Sequence, residues 1–157
     1  PEIEVKPENY GMGSMVVHPL TSPCIEIAGD GQTAKGVWYS PGEITEIGED
    51  GKPFAMWMWE RYGADLVKED GEWKIWHLHM YYDFAVPVGG KSWAELAMEP
   101  VSKEESAAPT GIMPEPDLIT DEIYEGFGPT KMPRMVPRLP EPYYTFSETF
   151  SYGPPQQ

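Results

Sequence analysis

Hydrophobic and polar positions alternate from Ala55 to Val86, and this pattern predicts one long β-hairpin. Two aromatic-rich runs flank Asp70-Gly71, a dipeptide typical of two-residue hairpin turns. Counted outward from that turn, Lys68 lies opposite Trp73 and Leu66 opposite Ile75. The same register then pairs Ala64 with His77, Tyr62 with His79, and Glu60 with Tyr81. A three-residue turn would invert this pairing.

The predicted register sorts the hairpin into two unlike faces, because successive side chains of a strand point in opposite directions. One face begins apolar at the turn and becomes a row of titratable and hydrogen-bonding groups: Glu60, Tyr62, His77, His79, Tyr81 and Asp83. The other face is nearly all apolar and holds Trp57, Trp59, Arg61, Trp76, Leu78, Met80, Tyr82 and Phe84. We interpret the first face as a pocket wall and the second as a packing surface.

A second, shorter hairpin is predicted for residues 15–40, with its turn at Gly29-Asp30-Gly31-Gln32 and Glu26 opposite Lys35. Prolines in its first strand confine that strand to an edge or a bulge. We expect residues 1–14 to form a polar arm, residues 15–98 the sheet portion, and residues 99–157 an extended tail. Residues 41–54 are expected to be a loop, and residues 92–98 a short helix with Ser92 as its N-cap.

The tail contains 11 prolines from Pro100 onward, so it can sustain neither a sheet nor a long helix. Its regularly placed aromatic residues indicate that it docks on a globular surface, its own or a partner's. The strands need a covering layer, which is usually helical. No segment offers a long amphipathic helix, so either the tail covers the sheet or the helices come from residues outside this chain.

Composition narrows the function classes. The chain has 157 residues and a formal charge of −15, which argues against nucleic acid and anionic membrane surfaces as partners. Cys24, the single cysteine, excludes an internal disulfide and a cysteine-rich zinc site. No apolar run approaches the roughly 18 residues of a membrane span. We expect a cytoplasmic protein, although the chain begins at Pro1 and its natural N-terminus is expected to lie elsewhere.

Two stretches carry a family resemblance: HPLTSPCIEIAGDGQTAKGVW from His18, and YGADLVKEDGEWKIWHLH from Tyr62. Together they resemble the second half of a SnoaL-like domain of the nuclear transport factor 2-like (NTF2-like) superfamily, over about residues 14–86. The proline-rich tail resembles the C-terminal extension of a bacterial subgroup, some members of which are linked to aromatic compound catabolism.

This resemblance implies an α+β fold, the NTF2-like cone, in which a curved and mainly antiparallel sheet wraps around N-terminal helices and leaves a deep pocket. We expect those helices to be missing from this chain. The superfamily includes dehydratases, isomerases, polyketide cyclases and non-catalytic binding proteins, and members commonly form homodimers through the sheet. The fold therefore does not settle the function.

Histidine, tyrosine and carboxylate side chains are the candidates for chemistry. His79 beside Tyr62 suits general acid–base catalysis, with Glu60 or Asp83 orienting the imidazole or acting as the base. His77 and His79 are alternatively structural, or two ligands of a metal site that needs a third. His18 lies in the HPLT stretch of the resembling subgroup and shares a face with Ser22, Cys24, Val37 and Tyr39 if parity survives the prolines. The predicted catalytic residues are His79, Tyr62, Glu60, His18 and Asp83, and the predicted substrate-binding residues are His77, Tyr81, Tyr39 and Trp38.

The leading hypothesis is a cofactor-free and metal-free lyase, dehydratase or isomerase that acts on a hydrophobic aromatic or polycyclic small molecule. The alternative is a non-catalytic small-molecule binding or assembly module of the same fold. In either case we expect a homodimer, with a missing N-terminal segment or companion chain completing the cone.

Overall fold

A computed structural model of the chain describes residues 13–48, 50–96, 132 and 135–153. These residues form one antiparallel sheet of five strands and very little helix. The strands are β1 (Met15–Val17), β2 (Thr21–Ile27), β3 (Thr33–Ile47), β4 (Pro53–Glu69) and β5 (Glu72–Pro87). The sheet order is β1-β3-β4-β5, and β2 pairs with β3 as well. The predicted mainly antiparallel sheet is confirmed, and it is consistent with an NTF2-like fold.

The β4–β5 hairpin turns at Asp70-Gly71, as predicted. Both residues have positive φ, 53° and 86°, the backbone that a type I′ turn requires. Lys68 pairs with Trp73 and Leu66 with Ile75, so the predicted register holds next to the turn.

Further from the turn the predicted pairing is wrong, because β5 contains two register shifts. Trp76 is an extra residue between Ile75, which pairs with Leu66, and His77, which pairs with Asp65. Such a bulge inverts the parity of all residues that follow it. The observed pairs are Gly63 with His79, Tyr62 with Met80, Arg61 with Tyr81, and Glu60 with Tyr82. A second shift at Asp83 then pairs Trp59 with Phe84 and restores the predicted parity.

Strand β3 is longer than the sequence predicts. It pairs with β4 without interruption from Thr33–Val67 to Ile47–Pro53, so most of the loop expected at residues 41–54 is strand. The long run of β4 supplies a partner for every residue from Pro41 to Ile47, despite Pro41 and Gly42. Glu26 lies opposite Lys35 as predicted, and the register shift between Thr21 and Cys24 fits the bulge expected at the prolines.

The strands present two faces, which we name by what lies on them. The Glu60 face includes Gly36, Trp38, Ser40 and Gly42 of β3, Glu60, Tyr62 and Ala64 of β4, and Leu78, Met80 and Tyr82 of β5. The tail face includes Lys35, Val37 and Tyr39 of β3, Arg61, Gly63 and Asp65 of β4, and His77, His79 and Tyr81 of β5.

The C-terminal segment of residues 135–153 docks on the tail face of its own sheet. The amides of Gly29 and Asp30 donate hydrogen bonds to the carbonyls of Tyr143 and Tyr144 at 3.0 and 3.1 Å. The ring of Tyr152 lies against Gly63, where a Cβ atom would come within 2.5 Å of the ring. The predicted docking of the tail is confirmed for residues 135–153. Residues 99–131 of the predicted tail lie outside the described residues.

Helix α1 spans Trp93–Leu96, and Ser92 caps it as predicted. The Ser92 amide donates to the Glu95 carboxylate at 2.9 Å, and the Glu95 amide donates to the Ser92 hydroxyl at 3.4 Å. The described residues leave several apolar side chains of the Glu60 face exposed: Ile25, Ile27, Ile75, Leu78 and Met80. A helical layer over this face stays a prediction, and the N-terminal arm of residues 1–14 lies almost wholly outside the described residues.

Candidate functional site

A buried carboxylate stands at the centre of the Glu60 face. Glu60 is only 1% exposed and lies in β4 between Ser40 of β3 and Tyr82 of β5, which pair with it on either side. Tyr62 follows two residues later on the same face, and its hydroxyl donates a hydrogen bond to Glu60 Oε2 at 2.5 Å. The strand periodicity of two therefore brings the phenol to the carboxylate.

His18 reaches the same carboxylate from the segment between β1 and β2. Its Nδ1 lies 3.2 Å from Glu60 Oε2. The imidazole packs against Gly42, where a Cβ atom would come within 2.6 Å of the ring. Gly42 thus gives the ring the space to lie against β3. The sequence predicted that His18 shares a face with Cys24 and Tyr39, which is wrong because the bulge at Ser22-Pro23 breaks the parity.

Burial and the Glu60 carboxylate shift the pKa values of the two tyrosines of this cluster. Burial raises the pKa of Tyr62, the hydrogen bond to Glu60 and its charge raise it further, and Ser40 opposes them. Burial also raises the pKa of Tyr82, and the charge of Glu60 adds to this effect. Both phenols therefore keep their protons at neutral pH and act as hydrogen-bond donors.

Exposure divides the cluster into inner and outer groups. Glu60 is too deeply buried to touch a bound molecule, whereas His18 is partly exposed and Tyr82 is 42% exposed. His18 Nδ1 is buried and makes no hydrogen bond within the described residues, so Glu60 acts on the imidazole through its charge, and Nε2 is left for proton transfer. The arrangement can therefore perform acid–base chemistry through His18, with Glu60 as the neighbouring negative charge that favours the protonated imidazole.

A second cluster of charged groups is buried on the tail face. Lys35 Nζ lies 2.5 Å from Asp65 Oδ1, and both residues are fully buried. Asp65 Oδ2 accepts hydrogen bonds from the Ser151 hydroxyl at 2.6 Å and the Tyr152 amide at 2.9 Å, and it contacts His77 Nδ1 at 2.9 Å. Burial raises the pKa of the Asp65 carboxyl, but the bonds from Lys35, Ser151 and His77 together lower it below its usual range.

Aromatic rings of the C-terminal segment surround the Lys35 ammonium. Its Nζ lies 4.6 Å from the ring centres of both Phe146 and Phe150, and 5.2 Å from that of Tyr152. Such distances are within the range of cation–π attraction. Burial lowers the pKa of Lys35, and Asp65 opposes this effect. The cluster anchors the tail to the sheet.

Ser151, His77 and Asp65 do not form a catalytic triad, although all three residue types are present. In a triad the serine and the carboxylate contact opposite nitrogens of the imidazole. Here the Ser151 hydroxyl lies 3.2 Å from His77 Nδ1, the nitrogen that also contacts Asp65, and it donates to Asp65 itself. The serine is therefore not activated as a nucleophile by this histidine.

The predicted site residues are divided between the two faces. His18, Trp38, Glu60 and Tyr62 lie on the Glu60 face, with the Trp38 ring packed over Gly36. The others lie on the tail face or in its bulge: Tyr39, His77, His79, Tyr81 and Asp83. The expected neighbourhood of His79, Tyr62 and Glu60 is wrong, because the bulge at Trp76 moves His79 to the opposite face.

The residues on the tail face have partners there. His79 stacks on Tyr81 with ring centres 4.1 Å apart, and burial lowers its pKa while the backbone of Tyr152 opposes this effect. Asp83 receives two hydrogen bonds from Arg61, at 2.9 and 2.5 Å. Within residues 13–48, 50–96 and 135–153, no group of three His, Cys, Asp or Glu side chains is placed to hold a metal ion. A catalytic role for His79 stays a prediction.

Sequence reasoning assigned Tyr82 to the packing surface, placed Lys35 only as the cross-strand partner of Glu26, and gave no role to Ser40 or Asp65. Tyr82 and His79 were misplaced for the same reason, the bulge at Trp76. No feature of the sequence marks this bulge. Lys35 and Asp65 carried a weak signal: two opposite charges stand at central positions of strands that are otherwise apolar around them.

Comparison with known families finds one similarity. Residues 7–79 match the family model described as the SnoaL-like domain. This segment is therefore similar to a SnoaL-like domain. The SnoaL-like family includes polyketide cyclases and isomerases. The match confirms the resemblance read from the sequence, and it contains His18, Glu60 and Tyr62 but neither Tyr82 nor the tail. A search of curated proteins finds no match. In the described part of the chain, no helix has the length and apolarity needed to cross a membrane.

Proposed function

We propose that the SnoaL-like domain of this chain is a cofactor-free acid–base enzyme, a lyase, dehydratase or isomerase for a hydrophobic aromatic or polycyclic small molecule. One observation carries the proposal: the fully buried Glu60 carboxylate touches both the His18 imidazole at 3.2 Å and the Tyr62 phenol at 2.5 Å. A buried carboxylate is costly unless it is paired, and such arrangements concentrate at functional sites.

His18 is the acid–base group in this proposal, and Glu60 and Tyr62 are positioning residues. The carboxylate stabilises the imidazolium that forms when Nε2 takes a proton from the substrate. Tyr62 donates to the same carboxylate oxygen and keeps it in place. Proton abstraction next to a carbonyl is a step shared by dehydration, isomerisation and cyclisation, so one arrangement serves several of these reactions.

The surroundings of the cluster support a hydrophobic substrate. The ring of Trp38 packs over Gly36 on one side of the cluster, and the exposed apolar side chains on the same face include Ile25, Leu78 and Met80. Apolar walls around a few polar groups are typical of small-molecule sites. An aromatic or polycyclic molecule would bury these side chains and bring a polar substituent to His18.

Hydrogen exchange tests the proposal directly. The full chain is incubated with α-tetralone, a bicyclic ketone, in deuterated buffer, and loss of the α-hydrogen signal is followed by NMR. We expect exchange above the buffer rate and a decrease of about 10²- to 10⁴-fold in His18→Gln, the usual contribution of a general base. Glu43→Gln, an exposed carboxylate on β3, is the control. Exchange by His18→Gln at the wild-type rate would refute the proposal, as would no exchange by the wild type.

The second candidate is a non-catalytic binding module of the same fold. It is favoured by the hydrogen bond that Tyr62 donates to Glu60, because this bond uses the phenol proton that a bound ligand would otherwise accept. The two candidates differ in His18→Gln: a binding module keeps its affinity for α-tetralone and never exchanges its hydrogens, with or without the imidazole.

A further inference from the structure

Tyr82 lies directly opposite Glu60 in the sheet, on the far side from Ser40. Directly opposed side chains of antiparallel strands have Cβ atoms about 5 Å apart, so the phenol of Tyr82 stands beside the buried carboxylate. The two register shifts of β5 place it there. The first shift follows Ile75 and the second precedes Phe84. Only the residues between the two shifts lie on the face opposite to the predicted one.

The hydroxyl of Tyr82 is available, unlike that of Tyr62. Tyr62 donates to Glu60, whereas the Tyr82 side chain is 42% exposed and makes no hydrogen bond to the residues that the structure describes. Its raised pKa keeps the phenol protonated at neutral pH. Among the groups around Glu60, Tyr82 is therefore the exposed neutral donor and His18 the exposed base.

We propose that Tyr82 is a catalytic residue whose phenol donates a hydrogen bond to the carbonyl oxygen of the substrate, an inference that rests on the proposed function. The substrate class is then narrower: a planar apolar molecule with a ketone or enone oxygen. His18 Nε2 takes the proton from the carbon beside that carbonyl. The C–H bond breaks, an N–H bond forms, and the electron pair moves onto the oxygen as an enolate.

The Tyr82 O–H bond stays intact throughout this step. The phenol stabilises the negative charge that develops on the oxygen, and such donors contribute most when they are already in place before the reaction. The imidazolium returns its proton either to another carbon, which isomerises the substrate, or to a departing hydroxyl group, which dehydrates it. Tyr82 and His18 thus act on two adjacent atoms of one substrate.

A pair of probes separates the role of the oxygen from that of the ring. The full chain is titrated with α-tetralone and with tetralin, which has the same carbon skeleton and no oxygen, and binding is followed by tryptophan fluorescence. We expect the wild type to bind the ketone more tightly, and Tyr82→Phe to lose about 2- to 10-fold of the ketone affinity, as for one net hydrogen bond. Its affinity for tetralin should not change.

Tyr144→Phe is the matched control, since Tyr144 lies exposed on the docked tail away from the Glu60 face. Hydrogen exchange of α-tetralone should also fall about 10²-fold in Tyr82→Phe. The proposal for Tyr82 is overturned if Tyr82→Phe keeps the wild-type preference for the ketone, or if the wild type binds neither probe.

The two proposals fail in different ways. If Tyr82→Phe behaves as wild type while His18→Gln stops hydrogen exchange, the acid–base function stands and the role of Tyr82 falls. If the wild type shows a Tyr82-dependent preference for the ketone and no exchange, the oxygen contact stands and catalysis falls.

Discussion

At the scale of the residue, Asp65 shows how this sheet tolerates a buried charge. Its carboxylate is fully buried and has partners on both oxygens: Lys35 on Oδ1, and Ser151, Tyr152 and His77 on Oδ2. A buried ion of this kind stabilises a fold only when all its hydrogen-bonding capacity is used. Two of these partners come from the tail, so the residue ties a local ion pair to a distant segment.

Replacing Asp65 with Asn should therefore be costly. The variant leaves the Lys35 ammonium buried without a counter-charge, which destabilises proteins by about 3–5 kcal/mol. Urea unfolding of the full chain at pH 7 measures this difference. Glu69→Gln is the control, because it breaks the exposed pair with Lys74 and should leave the unfolding midpoint nearly unchanged. Equal midpoints for Asp65→Asn and the wild type would contradict the assigned role.

The same pair gives the pH dependence its sign. The pKa of Asp65 is lower in the folded chain than its ordinary value of 3.8, so the folded state favours the carboxylate. This contribution to stability is complete above the ordinary value and is lost as the pH falls through the lower, folded-state pKa. The difference between the wild type and Asp65→Asn should therefore shrink as urea unfolding is repeated at progressively lower pH in the acid range.

At the scale of the element, the docked tail replaces part of the layer that a sheet needs. Its aromatic rings cover Lys35, its backbone pairs with the turn at Gly29 and Asp30, and Arg61 donates to the carbonyl of Val136. Phe150 also packs edge-on against Tyr152 with ring centres 5.0 Å apart. The segment has one short 3₁₀ turn and no strand, so side chains provide most of its contacts with the sheet.

Truncation of the tail tests this account. A chain that ends before residue 135 loses the aromatic cover of Lys35 and two hydrogen bonds to Asp65. We expect its free energy of unfolding to fall by about 3 kcal/mol or more, since a buried pair is then left partly unsatisfied. A chain that lacks only residues 154–157 is the control and should unfold as the wild type does. Equal unfolding midpoints for both truncations would show that docking contributes no stability.

At the scale of the whole molecule, two apolar surfaces of the sheet are not covered by the described residues. On the tail face, Trp57 is 59% exposed, and Trp59, Phe84 and Trp93 form a row with ring centres 6.4 and 5.0 Å apart. On the Glu60 face, the exposed side chains surround the buried carboxylate. Exposed patches of this kind usually mark interfaces. We propose that the row of aromatic rings meets a second copy of the chain, and that a further segment or companion chain covers the Glu60 face.

The proposed homodimer is tested by light scattering at low micromolar concentration. The full chain should give twice the mass of one chain, and Trp57→Arg should give the mass of a single chain because a charge then enters the interface. Trp73→Arg is the control, since Trp73 is also exposed but stands beside the hairpin turn over Lys68. A wild type that scatters as a single chain would contradict the homodimer.

The sequence by itself determined the local features of this protein. The Asp70-Gly71 turn, the pairing of Glu26 with Lys35 and the cap at Ser92 all follow from short-range chemistry. The sequence also carried the SnoaL-like resemblance that the family model matches, and it singled out three members of the Glu60 cluster, His18, Glu60 and Tyr62. These predictions depend on residue type and on neighbours close in the chain.

Only the tertiary structure decided which residues share a face. One extra residue at Trp76 placed Tyr82 in place of Tyr81 opposite Glu60 and moved His79 to the other face, because side chains alternate with a period of two and an insertion inverts the residues up to the next register shift. It also decided that Lys35 pairs with Asp65 and takes its aromatic cover from residues more than 100 positions later. A bulge and a long-range ion pair are chosen by the packing of several elements together, which no local pattern records.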